Sequence, residues 1–437
     1  MEKKVWNCGR GSFTGVESPY CINFRGIRYA QSERYGPPVP YVYPEGVYDC
    51  SVPSPYCIQD EARIEGALLG IHYYDVEQVE SCQFLSFTIP ADAAPDSKLP
   101  VMVWYHGGSY KNGGCENTIY DRDLLVTERN IIVVSVNYRL GILGLLKDRD
   151  GNLANNAILD SIEGLRWVKE NISSFGGDPE NITIVGQSAG ADVVRCILIA
   201  EGTSDLFNRC ILESPPLGTL PGREDMDLKS LAELNTYPID VPTEELVPIQ
   251  KSILSHITEK GRPKEMVFAP HYGVYPLPEE KDVFRRMEEV SKDHPMLIGS
   301  NSREVMAYVG GEEKIHRMYG NPLLRPIIRI RVKRATNDIF RRPTRAFAED
   351  YARSGGETYH YDLHWLEDTL LGSCHGCELP LLFGPKGIGG RLMTEFALTK
   401  EQLLEMGRPL RDVWAGFIRD GTIGSYHVDG MMDIERL

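Results

Sequence analysis

A serine flanked by glycines could act as a nucleophile in this sequence. Residues 186–190 read GQSAG, a G-x-S-x-G string with Ser188 at its centre. The β-branched run 182–185 precedes the string and the helix-compatible stretch 192–200 follows it. This order predicts a strand, a tight turn and a helix, with the serine strained at the apex and its hydroxyl exposed above a sheet. Such strings also arise by chance, so the context carries the prediction.

A second glycine-rich segment could stabilise negative charge on a carbonyl oxygen. His106, Gly107, Gly108 and Ser109 directly follow an apolar run. Glycines let the backbone bend so that amide N–H groups point at the oxygen, and the residue after the nucleophile, Ala189, supplies a further donor. The two segments together predict an oxyanion hole formed by Gly107, Gly108, Ser109 and Ala189. The alternative for residues 106–109 is a glycine-rich turn without a catalytic role.

Alternating strands and helices are predicted to position these residues. Continuous apolar runs are typical of strands buried on both faces, and intervening helical segments indicate a parallel sheet with crossover connections. Small antiparallel strands are predicted within the first 60 residues. The predicted strands are 21–29, 100–105, 131–136, 182–185, 210–213, 296–298 and 357–363, and the predicted helices include 160–171 and 408–419.

Two segments interrupt this pattern within what we expect to be one domain over residues 1–437. Segment 216–292 contains a polar, proline-punctuated stretch, and segment 310–356 carries a basic cluster. We predict that both are helical insertions covering the C-terminal edge of the sheet. A nucleic-acid role for the cluster is the alternative, but alternating Ile and Arg in PIIRIRVKR is more typical of a solvated or packed helix face. The cluster consists of Arg325, Arg329, Arg331, Lys333, Arg334, Arg341 and Arg342.

Composition excludes several classes of protein. A net charge of −15 disfavours nucleic acids and anionic membranes as partners. No apolar run approaches the roughly 20 residues that cross a bilayer. The start of the sequence lacks the apolar stretch of a secretory signal, so we expect a cytoplasmic protein whose ten cysteines are mostly thiols. A small molecule is the expected partner, and the chain is expected to be a monomer or a homo-oligomer.

Nearly the whole chain resembles the type B carboxylesterase family, which includes cholinesterases and, closest in style, bacterial p-nitrobenzyl esterases. The resemblance runs through FRGIRYA (24–30), KLPVMVWYHGGSYKNGG (98–114), GLRWVKENISSFGGDPENITIVGQSAGA (164–191) and VWAGFIRDG (413–421). It implies an α/β-hydrolase fold, with a mostly parallel twisted sheet flanked by helices, a small N-terminal antiparallel region and trimmed helical cap insertions. It also implies a serine carboxylesterase that forms an acyl-enzyme from small to medium esters, with no metal or organic cofactor.

The resemblance implies a catalytic triad of Ser188, Glu304 and His375. Glu304 lies in LIGSNSRE and is the implied acid, and His375 lies in HGCELP and is the implied base. The order serine, acid, histidine is the one expected for this fold, and both residues fall in loops after predicted strands. The alternatives are Glu288 or Asp293 for the acid, and His360, His364 or His427 for the base. His427 is expected in a polar tail.

Several positions depart from the pattern of the family. Gln187 replaces a frequent glutamate, and Ser109 replaces a third glycine of the oxyanion loop. Ser214 takes the place of a serine that supports the acid in relatives. The implied base follows the implied acid after 71 positions, an interval that is short beside the animal enzymes of the family. This interval implies a trimmed cap and a pocket that is more open or completed by another subunit.

The cysteines leave two alternatives open. Cys57 and Cys82 fall where secreted relatives form a disulfide, but we expect thiols. Cys374 and Cys377 bracket the histidine as CHGC, which could indicate a metal site. A lone C-x-x-C is weak evidence, and zinc would occupy the imidazole that catalysis needs, so we expect no metal.

Two other functions compete with carboxylester hydrolysis. The same triad could serve a lipase, an amidase or a carbamate hydrolase. A non-catalytic, cholinesterase-like binding protein is the second alternative. Since such proteins lack a triad member and all three are present here, the enzyme is favoured.

Overall fold

Strands and helices alternate along most of the chain. The computed structural model describes residues 4–61, 63–70, 76–257, 267–309, 313–390, 392, 397–424 and 426–437. The strands in these ranges are β1 (Val5–Cys8), β2 (Gly11–Thr14), β3 (Val16–Glu17), β4 (Cys21–Arg28), β5 (Ala30–Gln31), β6 (Val39–Pro40), β7 (Val47–Asp49), β8 (Tyr56–Cys57), β9 (Gln78–Val79), β10 (Phe84–Pro90), β11 (Leu99–Tyr105), β12 (Ile132–Val136), β13 (Gly177–Gln187), β14 (Arg209–Glu213), β15 (Met296–Asn301), β16 (Thr358–Leu363), β17 (Tyr426–Val428) and β18 (Met432–Arg436). The α-helices are α1 (Arg63–Leu69), α2 (Arg122–Arg129), α3 (Gly141–Gly144), α4 (Asn156–Asn171), α5 (Ala189–Ile199), α6 (Glu224–Leu234), α7 (Leu246–His256), α8 (Val283–Val290), α9 (Met306–Val309), α10 (Glu313–Gly320), α11 (Arg325–Thr336), α12 (Arg342–Arg353), α13 (Leu379–Phe383) and α14 (Lys400–Asp420).

One large sheet organises the molecule. Its strand order among the described residues is β17-β18-β16-β15-β14-β13-β11-β12-β10-β4-β3. Neighbours from β16 to β12 pair in parallel, whereas the strands at both edges pair antiparallel. The parallel centre places the carboxyl ends of six strands along one edge, and this is where ligands bind in open α/β sheets.

The sheet is buried on both faces. Val101 and Val103 of β11 pack in one hydrophobic core together with α4 and α5. Met102 and Trp104 of the same strand pack in a second core with α2 and α14. Since successive strand side chains point to opposite faces, this alternation shows helices covering both sides and explains the continuous apolar run of β11. The fold is an α/β-hydrolase fold, as predicted.

The predicted central strands are confirmed, but the C-terminal hairpin was not expected. Instead of a polar tail around His427, β17 pairs with β18, and β18 pairs antiparallel with β16. These edge strands are only partly buried and lack a continuous apolar run. The hydrophobic pattern therefore gives little signal for them.

The two interrupting segments contain the helices α6 to α8 and α10 to α12. Residues 258–266 and 310–312 of these segments lie outside the described ranges. In α11, Ile328, Val332 and Thr336 are buried, while the basic residues lie on the remaining surface of the helix. No helix within the described ranges is both long and apolar enough to span a bilayer.

Candidate active site

Ser188 occupies a sharp turn between β13 and α5. Its backbone has φ 57° and ψ −123°, a strained conformation for a residue with a side chain. A Cβ atom on Gly190 would lie 2.0 Å from the Tyr105 carbonyl oxygen, and one on Gly186 would lie 2.2 Å from the Gly190 carbonyl oxygen. The strand and helix can approach this closely only because both positions are glycine. The turn therefore has the geometry of a nucleophile elbow.

His375 and Glu304 meet at the carboxyl edge of the sheet. Glu304 follows β15 and His375 follows β16, two strands that pair in parallel. The ring nitrogen Nδ1 of His375 lies 2.6 Å from Oε2 of Glu304. The backbone N–H of His375 also donates to the backbone carbonyl oxygen of Glu304 at 3.2 Å. The carboxylate holds a proton on Nδ1 and leaves the lone pair of the neutral imidazole on Nε2. This is the tautomer that a general base needs.

Ser188, His375 and the glycine-rich loop line one cavity. Gly107, Gly108 and Ser109 form part of its wall beside Ser188. The apolar lining consists of Leu68, Leu69, Ile119, Ala307 and Leu379. The structure therefore brings the predicted nucleophile, the predicted base and the predicted oxyanion loop to the same space.

The loop after β11 has unusual backbone geometry. Gly108, Ser109 and Tyr110 have φ values of 109°, 56° and 57°. Among the described residues, the amides of Gly108 and Ser109 donate to no other backbone carbonyl. Ala189 is the first residue of α5, so its N–H has no helical partner one turn earlier. These amides are available to an anionic oxygen beside Ser188.

His106 packs against the glycine-rich loop after β11 and against Tyr138. Its Nδ1 atom lies 2.8 Å from the Gly107 carbonyl oxygen, and its ring stacks on Tyr138 with a centroid separation of 4.5 Å. The Tyr138 hydroxyl donates to the His106 carbonyl oxygen at 2.5 Å. Burial lowers the pKa of His106 to about 4, so this imidazole is neutral at physiological pH.

Two residues beside the site have contacts that were not anticipated. The side-chain amide nitrogen of Gln187 lies 3.3 Å from Nε2 of His375. The Asn301 N–H donates to Oε1 of Glu304 at 2.7 Å, and the Asn301 side chain donates to the Cys374 carbonyl oxygen at 3.0 Å. Asn301 thus ties the loop of Glu304 to the loop of His375. Its only sequence signal was its place shortly after the predicted strand 296–298, and in the structure it is the last residue of β15.

Two further carboxyl groups are buried behind Glu304. Burial raises the pKa of Glu213 well above its usual range, and Trp414 donates its indole N–H to this group at 2.6 Å. Burial, followed by the negative charge of Glu304, raises the pKa of Glu378. The Glu378 Oε2 atom accepts a hydrogen bond from Asn301 at 2.5 Å. These shifts favour the neutral acids, which limits the negative charge near Glu304.

Ser214 lies next to this carboxyl cluster. It is fully buried, and its N–H donates to the Gly299 carbonyl oxygen at 2.9 Å. In the described part of the chain, the side-chain hydrogen bonds of the Glu304 carboxylate involve Asn301 and His375. The support of Glu304 by Ser214 stays a prediction.

The structure places the competing candidates elsewhere in the fold. His427 is exposed and forms ion pairs with Asp429 and Asp433. His360 lies within β16, and His364 has its Nδ1 atom 3.9 Å from Oδ2 of Asp433. Glu288 and Asp293 precede β15, at the opposite end of this strand from Glu304. Within the described ranges, Glu304 is the acid in contact with His375.

The CHGC cysteines are buried thiols. Burial raises the pKa of Cys374 and of Cys377, and the Trp365 indole donates to Sγ of Cys377 at 3.1 Å. A zinc ligand has to be a thiolate, which these surroundings disfavour. Cys57 and Cys82 are also free thiols, in contact with each other.

A family model described as the carboxylesterase family matches residues 8–319. The chain belongs to this carboxylesterase family. A probable N-octanoylanthranilate hydrolase of Rhodococcus erythropolis is 31% identical over 431 residues, which cover 96% of this chain and 92% of the relative. A para-nitrobenzyl esterase of Bacillus subtilis is 28% identical over 457 residues, covering 97% and 91% of the two chains.

Solved structures agree with the fold of this carboxylesterase. A thermophilic p-nitrobenzyl esterase superposes with a TM-score of 0.81 at 23% identity, covering 100% of this chain and 98% of the other. The carboxylesterase EST55 of Geobacillus stearothermophilus superposes with a TM-score of 0.73 at 23% identity, covering 99% and 97% of the two chains. The chain is a serine carboxylesterase of α/β-hydrolase fold.

Proposed function

We propose that Ser188, His375 and Glu304 form the catalytic triad of this carboxylesterase. The contact between Nδ1 of His375 and Oε2 of Glu304, beside the strained turn of Ser188, carries the proposal. His375 removes the proton of the Ser188 hydroxyl as its oxygen attacks the ester carbonyl carbon, and then delivers that proton to the departing alcohol. Glu304 orients the imidazole and stabilises its cation.

The acyl-enzyme is released by the same groups. A water molecule loses a proton to His375 and attacks the acyl carbon, which frees the carboxylic acid and returns the proton to Ser188. The amides of Gly108, Ser109 and Ala189 stabilise the oxyanion in both steps, and Gly107 provides the bend. A Cβ atom on Gly107 would lie 3.1 Å from Cβ of Ser188, so this close approach supports the assignment. Losing one such donor typically costs about 10²- to 10³-fold in rate.

The substrates that we propose are small to medium uncharged esters. The cavity beside Ser188 is lined mainly by aliphatic side chains and glycines, together with Tyr120 and Tyr308. Such walls favour apolar acyl and alcohol groups over charged ones.

The test is turnover of p-nitrophenyl esters by the full chain and its variants. Ser188→Ala is expected to lower kcat by at least about 10³-fold without unfolding the protein. Ser255→Ala, which removes an exposed hydroxyl from α7, serves as the matched control and keeps full activity. A fluorophosphonate probe should label the natural chain but not the Ser188→Ala variant. Unchanged turnover by Ser188→Ala would refute the assignment.

Amide hydrolysis by the same triad is the second candidate. The observation that favours it is the relative of 31% identity named as a probable N-octanoylanthranilate hydrolase, which this chain matches over 96% of its length. Kinetic comparison of p-nitrophenyl octanoate with N-octanoylanthranilate separates the two activities. Amidase function requires turnover of the amide that is abolished by Ser188→Ala. Turnover of the ester alone would restrict the enzyme to esters.

A further inference from the structure

A second cavity shares the short helix α9 with the active site. Ala307 and Tyr308 of this helix line the active-site cavity. Met306, from the same helix, lines the second cavity, together with residues of α11. The second cavity has a volume of about 270 Å³, and its lining does not include Ser188 or His375. It is therefore distinct from the site of ester hydrolysis.

The second cavity is rich in positive charge. Among the described residues, the side chains of Arg303, Arg329, Lys333 and Arg341 line it, together with one carboxylate, that of Glu367. This local excess stands out in a chain with a net charge of −15. A low-dielectric concavity with one sign of charge concentrates ions of the opposite sign.

Two of these cations have their charge neutralised within the protein. The Nε atom of Arg303 lies 3.0 Å from Oε2 of Glu367, and its guanidinium also donates to backbone carbonyl oxygens. Arg341 pairs with Asp362 at 2.7 Å. These two guanidinium groups are held by their partners.

Arg329 and Lys333 differ from Arg303 and Arg341 in their contacts with carboxylates. Neither forms an ion pair with a carboxylate of the described residues. Arg329 donates from Nε to the Tyr319 hydroxyl at 3.3 Å, and its guanidinium carbon lies 5.7 Å from the centre of the Tyr319 ring, so both of these contacts are with a neutral side chain. Both residues lie on α11, one turn apart, at the spacing where helical side chains are neighbours. Within the described ranges they form a pair of neighbouring cations that no carboxylate neutralises.

The floor of the cavity is apolar. Met306, Ile328 and Val332 are each largely buried, yet they line the cavity below the charged side chains. An ion without an apolar part would leave this floor in contact with water. A ligand with an anionic head and an apolar body would satisfy both halves of the cavity.

We propose that this cavity binds a compact amphipathic carboxylate. The carboxylate lies between Arg329 and Lys333, and its hydrocarbon part covers Met306, Ile328 and Val332. Arg329 can present two parallel N–H groups to a carboxylate, a geometry that favours this head group. The volume lies just below the roughly 300 Å³ at which drug-sized ligand pockets begin, so the ligand is small. Carboxylic acids are also the product class of carboxylesterases.

The experiment is calorimetric titration of the full chain with hexanoate at fixed ionic strength. 1-Hexanol supplies the apolar body without the charge, and acetate supplies the charge without the apolar body. Hexanoate is expected to bind at least about tenfold more tightly than either, because only hexanoate uses both the ion pairs and the apolar floor.

Three variants that each remove one positive charge from α11 locate the site. Arg329→Met and Lys333→Met are each expected to weaken hexanoate binding by about fivefold. Arg331→Met is the matched control, because Arg331 is exposed on the same helix and does not line the cavity. It should bind hexanoate within about twofold of the natural chain. Thermal unfolding verifies that all three variants are folded.

Two results would overturn the proposal. In the first, Lys333→Met and Arg329→Met bind hexanoate as the natural chain does. Hexanoate would then bind outside the second cavity, for example in the active site. In the second, Arg331→Met weakens binding as much as the other two, which would reduce the effect to general electrostatics. Because the titration needs no turnover, its outcome is independent of whether Ser188 is the nucleophile.

Discussion

The side-chain amide nitrogen of Gln187 lies 3.3 Å from Nε2 of His375, the nitrogen that accepts the Ser188 proton in the mechanism proposed above. The Glu304 carboxylate holds the opposite ring nitrogen. The imidazole is therefore contacted at both nitrogens, by a carboxylate on one side and by a neutral amide on the other. A neutral amide at this place does not add to the negative charge around the ring.

Gln187→Glu should shift the pH dependence of hydrolysis. A carboxylate beside Nε2 stabilises the imidazolium, and a protonated His375 cannot act as a base. The acid limb of the pH profile of kcat/KM is therefore expected to move to higher pH by about one unit. The measurement is kcat/KM for a p-nitrophenyl ester between pH 5 and 9, roughly the range in which histidine bases titrate.

Gln187→Met is the control for this shift. It removes the amide without adding a charge, so the acid limb should stay within a few tenths of a pH unit. An equal shift in both variants would show that packing, and not charge, controls the ionisation.

Acid should destabilise the protein through His106. Burial lowers the pKa of His106 to about 4, below the value of about 6.5 expected in the unfolded chain. Between these values the unfolded state binds more protons than the folded state. The contribution of His106 to the unfolding free energy is therefore fully present above pH 6.5 and is lost as the pH falls towards 4. This difference between the two pKa values corresponds to a loss of roughly 3 kcal/mol in unfolding free energy. Urea unfolding at pH 7 and at pH 4.5 measures this loss.

His106→Gln provides the comparison. Glutamine does not titrate, so the loss of unfolding free energy between the two pH values should be smaller in this variant, whatever its stability at pH 7. The same loss in both proteins would exclude His106 as a source of acid sensitivity.

Asp160→Asn should strongly destabilise the fold. Asp160 and Arg139 form a buried bidentate ion pair, with N–O distances of 2.7 and 2.8 Å. The variant leaves the guanidinium charge buried without its partner, which typically costs about 3 to 5 kcal/mol. Urea unfolding measures the change. Glu289→Gln, which breaks exposed pairs with Arg285 and Arg286 on α8, should change stability little, and equal effects would argue against burial as the cause.

Gly190→Ala should disrupt the turn of Ser188, because its Cβ atom would lie 2.0 Å from the Tyr105 carbonyl oxygen. We expect a loss of at least about 3 kcal/mol in unfolding free energy, together with loss of esterase activity. Gly416→Ala in α14 is the matched substitution, since no atom lies within 4 Å of its added Cβ. That variant should gain up to about 1 kcal/mol and keep its activity. A stable, active Gly190→Ala variant would contradict the tight turn.

The elements of the fold that depend on residues close together in the sequence could be predicted from it. The continuous apolar runs identify the central strands, because a strand buried on both faces needs apolar residues at every position. The partly buried hairpin β17–β18 was not predicted, since its edge strands are held by pairing with a neighbour and not by a continuous hydrophobic run. The basic cluster was expected as a helix face. That two of its cations, Arg329 and Lys333, line a cavity without an ion pair to a described carboxylate could be recognised only from the tertiary structure.

By itself, the sequence determined the turn at Ser188, because strand, glycines, serine and helix are consecutive and their sterics act over a few residues. It also determined the loop after β11 and, through its resemblance to a family, the candidates Glu304 and His375. Only the tertiary structure decided that these two side chains meet, because the parallel register of β15 and β16 brings together loops 71 residues apart. The contacts of Gln187 and Asn301 were decided there as well, since a hydrogen bond between distant residues depends on packing that leaves no pattern in the chain.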